Sequence, residues 1–393
     1  MKCNLCGSGR SEYLFSNFKK ESARHADYPL DVHICRGCGL VFLNMDKVSE
    51  AALERYYTTS NTFERPGALF EGHKPLREGQ MQWALDHLPA DFRGKKVLDV
   101  GCGAGYVLKL FKDKGFQTWG NDYSPAMIRN LRELYGIDGY QGPFSPERVE
   151  RLYDLITCIT VLEHLPDPNR VLGEFGRTLA PGGFLFLEVP DAEFPRWDMV
   201  PDHIAYDHLY HWTERTLGRM LEQNGFEVAA AAHVENAPDS GNPECVLRML
   251  ARKGDNLRAR ARDVNDYERE KEVLRRYKEK HDGYLAGFQR KIDEVKKKTA
   301  GESLAIFCAG EHTATLLSRF DFSGLRIPFL FDNDPAVAGK SLAGIPVRHG
   351  SEAAQKEVRH YLLSTTNHEK AIYENLKKLD PDSRVYGLYA SLD

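Results

Sequence analysis

Apolar and polar residues along the chain form two stretches of alternating strand-like and helix-like segments, separated by one long charged segment. In the first stretch, apolar runs at residues 97–100, 116–120, 154–161, 184–189 and 245–251 predict strands, and the amphipathic stretch 213–226 predicts one of the intervening helices. Strands alternating with helices indicate a doubly wound α/β sheet. After Gly301 the pattern repeats on a smaller scale, with strands expected at 304–308, 327–331, 361–365 and 385–389 and a lysine- and glutamate-rich helix at 370–379. Residues 255–298 are dense in charge and carry apolar and aromatic residues at partly helical spacing, which predicts a mainly helical connector. Upstream, 50–88 also shows helical spacing, broken at Thr58-Thr59-Ser60-Asn61 and at Arg65-Pro66-Gly67, and is expected to cap the ligand site of the central domain. The expected division is 1–46 as a small lobe, 47–90 as a helical cap, 91–252 as the main α/β domain, 253–300 as the connector and 301–393 as a second, smaller α/β domain.

A length of 393 residues agrees with more than one core. Net charge is −4 with basic residues scattered among acidic ones, so neither a nucleic-acid groove nor an anionic membrane surface is expected as a partner. No run approaches the ~18 apolar residues of a membrane span, and the first residues lack a signal-like apolar stretch, which predicts a cytoplasmic protein. Four of the eight cysteines stand as Cys3-x-x-Cys6 and Cys35-x-x-Cys38, each pair followed by a glycine (Gly7, Gly39). That spacing lets four thiolates converge on a structural zinc with no open coordination position; a disulfide-linked or metal-free module is the alternative. The other cysteines, Cys102, Cys158, Cys245 and Cys308, sit in apolar surroundings as small buried residues.

Residues 97–105 read Val-Leu-Asp-Val-Gly-Cys-Gly-Ala-Gly, a buried strand closing on alternating glycines. A dinucleotide turn places its third glycine where Tyr106 stands, so Gly101, Gly103 and Gly105 favour S-adenosylmethionine over NAD. Asp122 closes the next strand, near the ~20-residue offset of an acid that accepts from ribose hydroxyls. With Gly120-Asn121-Asp122-Tyr123-Ser124-Pro125, with Tyr153-Asp154-Leu155-Ile156 leading into Val161-Leu162-Glu163-His164-Leu165-Pro166, and with Leu179-Ala180-Pro181-Gly182-Gly183, the chain resembles the class I S-adenosylmethionine-dependent methyltransferases, whose fold is Rossmann-like. The resemblance implies that Asp99, Gly101, Gly103 and Gly105 meet the methionine part of the cofactor and that Asp122 meets the ribose, with Cys102, Tyr123 and Glu163 in the same cofactor-binding site.

Between the strand at 184–189 and the helix near Thr213 lies Asp202-His203-Ile204-Ala205-Tyr206-Asp207-His208-Leu209-Tyr210-His211-Trp212, a loop leaving the carboxyl edge of the sheet, where open α/β folds bind ligands. Methyl transfer needs an aligned acceptor and a group to take its proton, work that suits a histidine. His208 is the candidate base with Asp207 to orient it; Tyr206 and His164 are further candidates, and the aromatic residues Tyr206, Tyr210, His211 and Trp212 could wall a sugar ring. His203 and His211 with Asp202 and Asp207 are an alternative metal set.

The whole arrangement resembles three-part methyltransferases that carry an N-terminal zinc lobe and a C-terminal Rossmann-like lobe and place methyl groups on carbon of nucleotide-linked ketosugars in antibiotic and surface-polysaccharide pathways. That family reads Tyr-x-Glu-His before the helix, where this chain has Ala205-Tyr206-Asp207-His208, and His-Gly-Gly-Ser-Leu-Arg after it, where this chain has Asp239-Ser240-Gly241-Asn242-Pro243-Glu244. Carbon methylation needs proton abstraction beside a carbonyl and a stabilised enolate, while oxygen methylation needs only a positioned base. Methyl transfer to a nucleotide-linked sugar is therefore expected, with carbon and oxygen both open. The alternatives are transfer to a sugar hydroxyl, a polysaccharide or a small non-sugar acceptor, and a non-catalytic nucleotide-sugar-binding protein. A dinucleotide-dependent oxidoreductase is disfavoured, because no G-x-G-x-x-G follows Ile306.

Overall fold

The computed structural model describes residues 2–17, 30–44, 58, 74–149, 151–198, 203–204, 208–236, 244–254, 265–365 and 368–389. The chain divides into two compact units: Met1–Asn17, Tyr28–Pro195 and Ile204–Arg275 form the first; Phe18–Asp27, Arg196–His203 and Arg276–Asp393 form the second.

The first unit is built on a seven-stranded sheet. Its strands are β4 (Lys96–Val100), β5 (Gln117–Asp122), β6 (Gly139–Gln141), β7 (Tyr153–Ile159), β8 (Leu179–Pro190), β10 (Phe226–Asn236) and β11 (Glu244–Lys253), in the order β10-β11-β8-β7-β4-β5-β6. Strands from β6 to β8 run parallel, and β11 runs antiparallel to both β8 and β10. Val97, Leu98, Leu155, Ile156, Leu185, Phe186 and Leu187 have no accessible surface, as expected for strands covered on both faces. The covering helices are α1 (Lys74–His87), α2 (Tyr106–Asp113), α3 (Pro125–Tyr135), α4 (Pro168–Thr178) and α5 (Glu214–Gln223). Their starts follow local capping chemistry. Ser124 accepts from Met127 N ahead of Pro125, Asp167 accepts from Arg170 N ahead of Pro168, and Thr213 and Thr216 cap each other reciprocally.

A second sheet in this unit is small: β1 (Ser11–Asn17), β2 (Leu30–Cys35), β3 (Val41–Leu43) and β9 (Tyr210–His211), in that order and antiparallel throughout. Three strands come from the N-terminal segment, and β9 comes from the polar loop that follows β8. Val32, Ile34, Leu40, Val41, Phe42 and Leu43 are buried here.

The second unit holds a six-stranded sheet, order β14-β15-β13-β12-β16-β17, from β12 (Leu304–Phe307), β13 (Leu330–Asp332), β14 (Ser341–Leu342), β15 (Ile345–His349), β16 (His360–Leu363) and β17 (Arg384–Gly387). Its helices are the later part of α6 (Tyr267–Thr299), α7 (Glu311–Arg319) and α8 (Glu369–Leu379). Period-two alternation sets its two cores. Leu304 and Ile306 pack with Phe288, Ile292 and Leu316, whereas Ala305 and Phe307 pack with Ile372 and Leu376. Among the described residues no helix is long and apolar enough to cross a membrane.

The strand ends read from sequence fall within a few residues of those observed, except that β8 begins at Leu179, so the Ala180-Pro181-Gly182-Gly183 stretch lies inside the strand. The β10–β11 pairing extends the sheet by a hairpin, because two strands joined by a short connection pair antiparallel without a crossover helix.

Candidate active site

The turn after β4 puts its backbone where only glycine fits. Gly101 has φ +72, and a Cβ there would stand 2.3 Å from Val161 Cγ2; Gly105 has φ +86, and its Cβ would stand 2.2 Å from Leu131 Cδ1. Gly103, at φ +52, faces open space instead, with no atom within 4 Å of where a Cβ would stand. The turn is held to β5: Gly101 N and Cys102 N both donate to Asn121 O, at 2.8 and 2.9 Å. Asp122 spans the same gap, accepting from Gly103 N at 2.9 Å through Oδ2 and from Ser124 N at 2.8 Å through Oδ1. Tyr123 lies between Asp122 and the helix cap.

Asp99 is buried on β4 and accepts from Thr157 Oγ1 at 2.7 Å. Burial pushes its carboxyl up to about 7 against the opposing pull of Thr157 and of Arg77. Asp122 is also pushed upward by burial, resisted by its two backbone donors. A cationic ligand group would reverse both shifts, so this pair of acids suits a ligand carrying an ammonium or sulfonium. Cys102 is a buried thiol pushed well above its ordinary range, chiefly by burial, and is no nucleophile. The open side of Gly103, the paired acids and the tight turn together fit the methionine and ribose parts of S-adenosylmethionine.

At the end of β7 the chain is strained. Thr160, a β-branched residue, takes φ +51, held by its N–H donating to Glu188 O at 2.7 Å. A single 3-10 turn, Leu162–His164, follows. Glu163 is buried, His164 Nε2 stands 3.7 Å from Glu163 Oε1, and the His164 and His208 rings meet edge to face at 4.9 Å. Glu163, His164 and His208 each bring a ligating atom within 4.8 Å of the others. His208 is placed from two sides: Leu209 N donates to Glu163 O at 2.7 Å, and Leu43 N donates to Leu209 O at 2.9 Å, continuing the β3–β9 pairing of Phe42 with Tyr210 and Val41 with His211. Tyr210 donates to Pro166 O at 2.9 Å and stacks on the fully buried Trp212 at 5.5 Å. His211 is buried in β9, with its ring 6.4 Å from that of His208; His203 lies 6.4 Å from the Tyr277 ring. Asp202, Ala205, Tyr206, Asp207 and 239–243 lie outside the described residues.

The sequence reading overlooked a polar chain running from α1 to β11. Arg77 donates to Gln80 Oε1 at 3.0 Å, Gln80 to Glu188 Oε1 at 2.6 Å, and Arg248 Nε to Glu188 Oε2 at 2.6 Å. Gln80, Glu188 and Arg248 are buried, and Arg77 acts electrostatically on Asp99. A lone arginine in an amphipathic helix carries no signal for such a role; only the folding of α1 onto the sheet brings it there.

In the N-terminal segment the four cysteine sulfurs lie within 4.8 Å of one another, with Cys3 to Cys38 at 3.6 Å and Cys6 to Cys35 at 3.4 Å. Tetrahedral zinc with ~2.3 Å bonds separates its sulfurs by about 3.8 Å, so the cluster fits that ion. Left to themselves the thiols share protons. Hydrogen bonds from its neighbours, Cys3 first, hold Cys35 well below the ordinary thiol range, and donating to Cys35 raises Cys3.

The sequence pattern of the methyltransferase domain family matches residues 76–231, the span that includes most of α1, the glycine turn, Asp122 and the Glu163 turn. A ubiquinone biosynthesis O-methyltransferase of Bordetella avium is 29% identical over 232 residues, covering 52% of this chain and 95% of that relative. One from Idiomarina loihiensis is 30% identical over 149 residues, covering 36% of this chain and 58% of its own length. Among solved structures, magnesium protoporphyrin IX methyltransferase from Synechocystis, with bound SAH, is similar at 16% identity and a TM-score of 0.37, covering 53% of this chain and 89% of that one.

Proposed function

We propose that this chain, a class I S-adenosylmethionine-dependent methyltransferase, transfers its methyl group to a hydroxyl oxygen of a small-molecule acceptor, with a nucleotide-linked sugar as the acceptor class and His208 as base. The observation that carries this reading is the seating of His208 beside His164 and Glu163, at the carboxyl end of the strand next to the glycine turn.

The cofactor supplies an electrophilic methyl on a sulfonium. Asp99 would meet the ammonium of its methionine part and Arg77 the carboxylate, while Asp122 accepts from the ribose hydroxyls and the bare face of Gly103 lets the ligand approach the backbone. His208 would take the acceptor proton as the new bond forms, and the buried Glu163 beside the histidine pair favours the resulting imidazolium. Oxygen transfer asks for one base and no enolate stabilisation, and the oxygen chemistry named in the relatives supports it. Cys3, Cys6, Cys35 and Cys38 would hold a structural zinc whose lobe supplies β3, the strand on which β9 and hence His208 lean.

A second reading, carbon methylation of a nucleotide-linked ketosugar, is favoured by the three-part order of four-cysteine lobe, methyltransferase domain and second α/β unit. Purified protein incubated with S-adenosylmethionine and a panel of nucleotide-linked sugars and ketosugars, with the new methyl located by NMR, separates the two. Methyl on oxygen supports the proposal, methyl on carbon supports the second reading, and tight cofactor binding without turnover on any sugar removes the sugar acceptor.

A further inference from the structure

On the α3–β6 side of the first unit lies a surface cavity of about 320 Å³ that the methyl-transfer reading does not use. Three arginines line it, Arg129, Arg132 and Arg148, together with Tyr140 and Gln141. Two of them are pre-set. Arg132 Nη2 donates to Gly139 O at 2.6 Å; Arg148 Nη1 donates to Gln141 O at 2.6 Å while its guanidinium lies 4.5 Å over the Tyr140 ring. Each of these bonds uses one of five donors and fixes the plane of the remaining fork.

None of the three forms an ion pair among the described residues, and the Arg129 side chain makes no hydrogen bond there either. Glu147, the carboxylate beside Arg148, turns instead to Ser145 Oγ at 2.5 Å, which holds its pKa low. In a chain of net charge −4, three arginines around one cavity, with no ion pair among the described residues, are an arrangement that repels itself until an anion enters. The fixed forks match tetrahedral oxyanions, and three cations match more than one negative charge.

We propose that this cavity binds the phosphate group of a small phosphorylated ligand, at a site separate from that of S-adenosylmethionine. The separation follows from the lining, which includes none of Asp99, the glycine-turn residues 101–105 or Asp122.

The test is calorimetric titration of the full chain, saturated with S-adenosylhomocysteine, with inorganic phosphate and with pyrophosphate at constant ionic strength. Saturable one-to-one binding is expected, weakened about tenfold or more in Arg148→Gln and in Arg129→Gln, while both variants bind S-adenosylhomocysteine as the parent does. Tighter binding of phosphate identifies the ligand as a phosphomonoester, and tighter binding of pyrophosphate as a diphosphate. Absence of saturable binding of both anions, binding unchanged in both variants, or binding abolished by S-adenosylhomocysteine overturns the proposal.

Discussion

Replacing Cys38 with serine should loosen a segment that is remote in sequence, the one carrying His208. Cys38 is buried in the turn between β2 and β3, with its sulfur 3.6 Å from that of Cys3, and β3 begins three residues later at Val41. Through β3 the lobe grips Leu209 O by Leu43 N at 2.9 Å, and Leu209 N in turn grips Glu163 O at 2.7 Å. Two buried backbone bonds contribute about 1 kcal/mol net each, so freeing both amounts to ~2 kcal/mol, or a roughly 30-fold rise in local opening. Hydrogen exchange followed by mass spectrometry reads this without any acceptor. Amides of 209–212 should exchange about 30-fold faster in Cys38→Ser, while those of 101–105, held to β5 through Asn121, stay as protected as in the parent. Unchanged protection at 209–212 in Cys38→Ser would refute the mechanical link between the lobe and the segment carrying His208.

Three further outcomes test other parts of the site. Because Asp99 is raised to about 7 in the free protein and a cationic ligand requires it ionised, S-adenosylmethionine affinity should climb roughly tenfold per pH unit from pH 5.5 towards 7 and then level off; titration calorimetry checks it, and an equally steep climb in Asp99→Asn would place the titration elsewhere. Gly101→Ala must fit a Cβ 2.3 Å from Val161 at φ +72, which should cost about 2–4 kcal/mol and most of the cofactor affinity; a parental melting temperature would contradict the close packing. Glu270 is buried and raised to about 8, first by burial and then by Glu193, so the unfolded state ionises at lower pH than the folded one and stability falls as pH rises from about 4.5 to 8. Glu270→Gln should therefore raise stability by about 4 kcal/mol at pH 8 and little at pH 5; denaturant melts at the two pH values giving the same difference would point to a cause other than ionisation.

How much could be read in advance follows the range of the interactions. Gly101 and Gly105 were legible because a left-handed turn under a packed side chain admits glycine alone, Gly103 because its left-handed backbone leaves an open face, and Asp122 because its place is set by strand length from that turn. The paired cysteines were legible because ligand spacing is local, and the helix at 214–223 because Thr213 caps it. The pairing of β9 with β3 joins residues some 170 positions apart through a two-residue strand, too short for any period to register. Arg77, Gln80, Glu188 and Arg248 come from three elements and meet only after α1 docks, so no spacing along the chain announces them. The loop histidines were recognised as polar residues at the carboxyl edge of a sheet, but their order of contact, with His208 against His164 rather than His211, depends on how the loop is clamped.

The most direct test of the central claim is the turnover of His208→Ala on the acceptor that emerges from the sugar panel, measured beside its S-adenosylhomocysteine affinity. A fall in kcat of about 10² or more at parental cofactor affinity, with the parent's methyl found on oxygen, is the expected result. Near-parental turnover, or a loss of turnover that simply follows lost cofactor binding, would contradict the assignment of His208 as the base.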